Sequence, residues 1–256
     1  MKINILGSHN CESQNTRFAS ILIDDTIAID AGGVSSSLSF EAQQMIQAIL
    51  LTHHHYDHIK DIPIIAMNYW LTETTIDIYS TQRTYDTLVA YLVNDKIYPN
   101  FFERPEEKPT INHTIIQPHQ EIQIQGYSIL ALPVNHSGPA VGYQITAPDG
   151  KTVFCTGDTG PGLEECWQNV SPQLLIIEVT LSNRHEEWAR SSRHLTPALL
   201  KEELLSFQKV KGYLPKVVTV HMNPFIEKEI GAEIKDMPGD LNSTITLGYE
   251  GMQIEI

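Results

Sequence analysis

Basic side chains are scarce in this chain: 17 Lys and Arg stand against 31 Asp and Glu, leaving a formal charge of -14 at neutral pH. Affinity for nucleic acid is assembled largely from Lys and Arg that neutralise phosphates, so this balance makes a nucleic-acid partner unfavourable. Small anions stay open, because bound cations can dominate the field inside a cleft whatever the outer surface carries. Cysteine is also sparse. Cys11, Cys155 and Cys166 form no close-spaced metal pair, and an odd number cannot all bridge, which excludes a disulfide framework and suits a reducing compartment. No run approaches the roughly eighteen apolar residues that a membrane span needs. The opening apolar run at 3–6 breaks at Gly7-Ser8-His9-Asn10, too short for a secretory core, so a cytoplasmic protein without membrane contact is expected.

What is present points to a folded α/β chain. With 256 residues and 41% apolar side chains, a full core can be buried, and no repeat, charge block or low-complexity linker divides the sequence, so residues 1–256 are expected to form one domain. Short β-branched runs predict strands at 3–6, 21–23, 26–29, 48–52, 76–79, 122–124, 129–134, 143–146, 152–155, 174–179, 217–220 and 252–256. Helical spacing appears at 39–46, 62–71, 85–92 and most clearly at 197–207, where Thr196 can cap and Pro197 suits the first turn. Residues 94–109 read as a long surface loop, and the apolar side chains at 97–102 would suit a homodimer contact or a substrate lid.

The densest chemistry lies at His53-His54-His55-Tyr56-Asp57-His58, five imidazole or carboxylate groups in six residues. These are ligands for zinc and its first-row neighbours, and the clustering predicts a metal site. In an extended segment His53 and His55 point the same way while His54 faces elsewhere, and Asp57 and His58 can turn toward a second ion as the chain bends. The helical zinc-protease spacing, two His at i and i+4 around a Glu, is absent. Three further polar residues each follow an apolar strand: His136, Asp158 and His221. Alone, each reads more readily as a hydrogen-bonded strand-end or turn residue; their shared placement makes them candidate partners of the first cluster.

With these residues in view, the chain resembles the metallo-β-lactamase superfamily, whose His-x-His-x-Asp-His motif is matched by His53, His55, Asp57 and His58. Ile3-Asn4-Ile5-Leu6-Gly7-Ser8, Asp30-Ala31-Gly32-Gly33 and Thr156-Gly157-Asp158-Thr159-Gly160-Pro161 occur in the expected order. The resemblance implies a four-layer αβ/βα sandwich with its metals in a cleft at the shared edge of two sheets. It places His53, His55 and His136 on one ion, Asp57, His58 and His221 on another, and Asp158 between them. Two divalent ions are implied, zinc by default with manganese and iron as the other ions such a set accepts, and the nucleophile would be a water or hydroxide held between them.

Ile177-Glu178-Val179-Thr180 and His194-Leu195-Thr196-Pro197 resemble the ribonuclease Z and class II cyclic nucleotide phosphodiesterase branch, although Tyr56 and Asp61 depart from the phosphodiesterase pattern. A phosphodiester's departing alkoxide needs a proton or a positive neighbour, which makes His194 a catalytic candidate oriented by Glu178, with Asp57 doubling as a catalytic carboxylate. Only 21 residues separate His136 from Asp158, where similar ribonucleases Z carry a basic, glycine-rich arm for tRNA. The expected activity is therefore dinuclear hydrolysis of a small, cyclic nucleotide-like phosphodiester. Hydrolysis of a carboxylic bond (lactone, thioester or β-lactam), ribonuclease Z-like RNA processing and a non-catalytic metal-binding protein are the alternatives. His9, His54, His113, His119 and His185 have no motif support and are expected to be structural or exposed.

Overall fold

The computed structural model describes residues 1–242 and 244–256. Six strands come from the first half: β1 (Lys2–Gly7), β2 (Ser20–Ile23), β3 (Ile27–Ile29), β4 (Ala48–Leu50), β5 (Ile76–Ser80) and β6 (Ile111–Ile115). The second half supplies β7 (Glu121–Ile124), β8 (Tyr127–Pro133), β9 (Val141–Thr146), β10 (Thr152–Cys155), β11 (Leu174–Glu178), β12 (Lys216–Val220), β13 (Ile245–Leu247) and β14 (Met252–Glu255). They assemble into two sheets, ordered β14-β1-β2-β3-β4-β5-β6 and β13-β12-β11-β10-β9-β8-β7.

The central strands are apolar on both faces because both faces are covered, and the two-residue period sorts each run into separate cores. In β4, Ala48 and Leu50 face the other sheet while Ile49 joins the cluster beneath the helices; in β11, Leu174 and Ile176 point inward and Leu175 and Ile177 outward. Each such Leu or Ile, fully buried, contributes about 1.5–3 kcal/mol. Helices complete the outer layers, giving the expected αβ/βα sandwich. The helix Ile62–Leu71 buries Ile62, Ile65, Ala66 and Tyr69 and exposes Trp70 and Leu71. The helix Pro197–Lys211 covers the other sheet through Leu200, Leu204 and Phe207; its Thr196 side chain accepts from the Leu199 N–H as expected, and Gly212 ends it in the left-handed region.

Several elements differ from the sequence reading. The strands β6 and β13 were not expected: both sit at sheet edges, where β6 alternates polar residues with half-buried ones and β13 spans three residues. The short helices Glu164–Asn169, Glu186–Ser192 and Glu227–Lys235 lacked a long periodic signal. The expected helix 39–46 contracts to Phe40–Gln43, and that at 85–92 becomes Gln82–Thr87 running into a wider π-helical turn, Leu88–Leu92. The 97–102 run is not uniformly exposed: Ile97 faces solvent, but Phe101 is buried in the outer core with Tyr98 and Phe102 packed against it. Among the described residues no helix is long and apolar enough to cross a membrane.

One close approach fixes how the histidine-rich turn sits on the first sheet. A side chain at Gly32 would place its Cβ 1.8 Å from the Asp57 carbonyl oxygen and 2.6 Å from the Phe18 Cβ. Backbone cannot yield as a flexible side chain does, so Gly32→Ala is expected to destabilise the metal-free chain by about 3 kcal/mol, read as a fall in the urea midpoint at unchanged slope. An unaltered midpoint would mean that the turn is free to shift.

Candidate metal centre

Parallel pairing brings the polar strand ends to one edge. The strands β3 and β4 run parallel in the first sheet and β10, β11 and β12 in the second, so residues just past their carboxyl ends emerge together. Asp30 follows β3, His53 follows β4, Asp158 follows β10, Glu178 ends β11 and His221 follows β12; His136 lies beyond β8. Hydrogen bonds across the gap lock the sheets: Tyr143 Oη donates to the Leu51 carbonyl at 2.8 Å and the Val141 N–H to the Thr52 carbonyl at 3.0 Å.

All seven residues expected to hold metal converge. Ligand atoms of His53, His55, His136 and Asp158 lie within 4.8 Å of one another, as do those of Asp57, His58, Asp158 and His221, and Asp158 is common to both sets. Its carboxylate lies 3.2 Å from His58 Nε2, 3.4 Å from His221 Nε2, and 3.8 Å from both His53 Nε2 and His136 Nε2. His54 is turned away toward Gly138, as the alternation of an extended segment requires.

Two of the imidazoles are held in definite tautomers by partners that can only accept. His58 Nδ1 donates to Asp30 Oδ2 at 2.7 Å and His136 Nδ1 to the Arg193 carbonyl at 3.0 Å. His53 Nδ1 meets Thr52 Oγ1, whose proton faces the Asp30 carboxylate, and His221 Nδ1 meets Thr180 Oγ1, whose proton goes to Glu178. In its neutral form each of these four rings would present a bare Nε2 inward. His55 is reversed: its Nε2 contacts Ser137 Oγ at 2.9 Å and its Nδ1 turns toward His136.

The donor set fits divalent cations. His53 Nε2, His58 Nε2 and Asp158 Oδ1 are buried without a hydrogen-bond partner, a costly state for polar atoms unless an ion occupies the space between them. Burial holds His53, His136 and His55 below the ordinary imidazole range, as neutral ligands must be. Asp57 and Asp158 are held below the ordinary carboxylate range, the surrounding histidines outweighing burial. His58 is the exception: burial opposes its charge, but Asp158, Asp30 and Asp57 raise it well above the ordinary value, so a cation taking Nε2 must displace a proton.

His194 stands beside both sets, its ring 5.0 Å from that of His136 and stacked 5.5 Å from that of His221. Its Nδ1 is 2.6 Å from Glu178 Oε1. Burial alone would lower its pKa, but the Glu178 charge and hydrogen bond, joined by Asp158 and Asp57, raise it to about 9. Glu178 is fully buried and also accepts from the Thr159, Thr180 and Leu195 N–H groups, which fixes its carboxylate in place.

Sequence reasoning did not assign roles to Asp30, Thr180 or Arg193, the residues that orient the histidines. Asp30 and Thr180 lay within matched segments, which was a usable signal; Arg193 did not, and its partner lies 57 positions away, which no local pattern reveals. His9 is structural, as expected, and supports the site from behind. The Met222 N–H donates to the Ser8 carbonyl and the Asn10 N–H to the Met222 carbonyl, while His9 Nδ1 lies 2.6 Å from Glu250 and Nε2 3.4 Å from Glu227. Burial opposes the charge on His9, but Glu250 and then Glu227 raise its pKa; burial likewise opposes ionised Glu250, but His9 and the Arg17 N–H lower it.

The stability His9 adds is complete below its unfolded value of about 6.5 and lost as pH rises through its higher folded value; that from Glu250 is complete above about 4.3 and lost as pH falls. The Tm deficit of Glu250→Gln is therefore expected to be largest at about pH 5 to 6.5 and to shrink in alkali. A deficit independent of pH in thermal unfolding would show that the charge pair contributes nothing.

Residues 25–222 match the family described as the beta-lactamase superfamily domain. A probable 3',5'-cyclic-nucleotide phosphodiesterase of Yersinia pestis is 23% identical over 211 residues, 73% of this chain and 60% of that protein. The chain spans 60% or less of the length of the curated relatives it matches. Among solved structures, unliganded yeast PDE1 superposes with a TM-score of 0.81 at 17% identity, covering 100% of this chain and 99% of that one. Human tRNase Z, short form, gives 0.68 at 18% identity, covering 100% and 99%. These structural likenesses speak for the fold. With the motif, the two-sheet architecture and the family match in agreement, the chain belongs to the beta-lactamase superfamily.

Proposed function

We propose that this protein is a dinuclear metal-dependent hydrolase acting on a small phosphodiester of the cyclic nucleotide kind, with residues 1–256 as one catalytic domain. The observation that carries the reading is the Glu178–His194 pair, 2.6 Å apart and set against the rings of both His136 and His221. His53, His55 and His136 would hold one cation, Asp57, His58 and His221 the other, and Asp158 both, zinc being the default ion. Such cations supply, when bound, an acidified water and neutralisation of charge developing on phosphoryl oxygens.

The chain's own contribution is orientation and proton delivery. With Nδ1 committed to Glu178, the His194 proton available to substrate sits on Nε2, beside the two cation sets, where a departing alkoxide would need it. Glu178 touches no substrate; it keeps the His194 ring charged and aimed. Asp57, whose side chain is 24% exposed, stands at the mouth beside His221, 3.2 Å away. Between His136 and Asp158 lies a compact hairpin, Val141–Thr146 and Thr152–Cys155, with no room for an RNA-gripping arm. Together with the net charge of -14, that favours a small substrate over RNA.

The test is a panel with zinc-loaded protein: an aryl phosphodiester, 3',5'-cyclic mononucleotides, a lactone, a thioester and unprocessed tRNA. Turnover of the cyclic mononucleotides is expected. Cleavage of the lactone or thioester alone, or of the tRNA alone, would overturn the substrate class, and failure of the purified chain to take up any transition ion would overturn the metal site itself.

A further inference from the structure

We propose that Arg193 is a positioning residue that holds His136 in ligand geometry and thereby sets the affinity of one cation of the pair. The proposal rests on the dinuclear reading above and concerns a residue that belongs to neither cation set.

Arg193 grips His136 from two directions. Its backbone carbonyl accepts from His136 Nδ1 at 3.0 Å, fixing the tautomer that leaves Nε2 bare, and its guanidinium Nη1 donates to the His136 carbonyl at 2.7 Å, fixing the peptide that carries the ring. A histidine ligand is aimed by what its other nitrogen and its backbone are tied to. His136, three residues beyond the end of β8, is not itself held by a strand's ladder hydrogen bonds, so its aim depends on such ties.

The backbone is shaped for the task. Arg193 adopts φ 59 and ψ 56, the left-handed region disfavoured for residues with a Cβ, at the end of the helix Glu186–Ser192. Gly160 packs against it so closely that a Cβ there would lie 3.0 Å from the Arg193 Cα. The Gly160 N–H in turn donates to the Asn135 carbonyl at 2.7 Å, so the segments around Asn135, Gly160 and Arg193 form one clasp around His136. A glycine would adopt the same φ without strain. Strain-free backbone geometry therefore does not explain an arginine here, whereas its guanidinium bond does.

The variants are Arg193→Gly, which relaxes the backbone and so should fold, and Arg193→Lys, which restores one donor. Two readouts apply: the imidazole nitrogen resonances of His136 and His58 in the metal-free protein, and a Zn²⁺ titration followed through both rings. In the wild type, His136 is expected as the Nδ1–H tautomer. Arg193→Gly keeps the backbone carbonyl that accepts from Nδ1, so the tautomer is expected to persist, while loss of the guanidinium bond frees the His136 peptide: its ring resonances are expected to shift and broaden, and the cation seen by His136 to bind roughly 10- to 100-fold more weakly while that seen by His58 changes less than about twofold. Arg193→Lys should recover part of the loss. Unchanged His136 resonances with both affinities intact overturn the positioning role while leaving the dinuclear reading standing; equal weakening at both rings overturns it in favour of a general structural role. A wild-type chain that perturbs neither ring on adding Zn²⁺ removes the metal reading and the proposal with it.

Discussion

Asp158→Ala is expected to lower cation content from two equivalents to one or none and to reduce phosphodiester hydrolysis by roughly 10³-fold or more, since the charge stabilisation such ions provide is several kcal/mol and each 1.4 kcal/mol is tenfold in rate. The reason is geometric. Asp158 is the one side chain common to both four-residue sets of the seven-residue site, its two oxygens facing His58 on one side and His53, His136 and His221 on the other. Every other ligand serves a single set. Removing the carboxylate leaves histidines with no shared negative charge between them, and a pair of cations held there would lose the group that offsets their mutual repulsion. Asp158→Asn keeps the shape and should fail nearly as badly, because the amide contributes no charge. Elemental analysis that still finds two equivalents in the alanine variant would rule out the bridging role.

His194→Ala is expected to retain both equivalents of metal yet lower kcat/KM by roughly 10²- to 10⁴-fold, the usual contribution of a positioned acid or base. The loss should depend on the leaving group. A ribose alkoxide needs a proton as it departs, whereas an aryl oxide carries its own charge, so the deficit is expected to be larger for a cyclic mononucleotide than for an aryl phosphodiester. Equal deficits on the two substrates would argue that His194 binds rather than protonates. The residue's placement supports the protonating role: it joins no cluster with the shared Asp158, its Nδ1 is tied to the buried Glu178, and it keeps 17% of its side-chain surface exposed at the site.

Much of this architecture could be read before any coordinates. The apolar runs at 48–52 and 174–179 announced strands because burial on two faces demands unbroken hydrophobicity, and the fold supplies both covering layers. The edge strands β6 and β13 escaped notice for the converse reason, since an edge needs no such run. The helix Glu227–Lys235 carries Gly231 in its interior and buries only Ile230 and Ile234, too few apolar positions to stand out. In the site, His53, His55, Asp57 and His58 were visible because their chemistry is contiguous. His136, Asp158 and His221 became candidates through their position after strands and through resemblance.

The chain's residue order by itself determined the buried strands and the longest helix, and which side chains are chemically fit to bind a cation, because periodicity and ligand type are local properties. Tertiary structure alone decided which nitrogen of each imidazole faces inward, since Asp30, Thr180 and Arg193 lie 28, 41 and 57 positions from the rings they orient. Hydrogen-bond direction depends on distance and angle in space, and separation along a chain encodes neither.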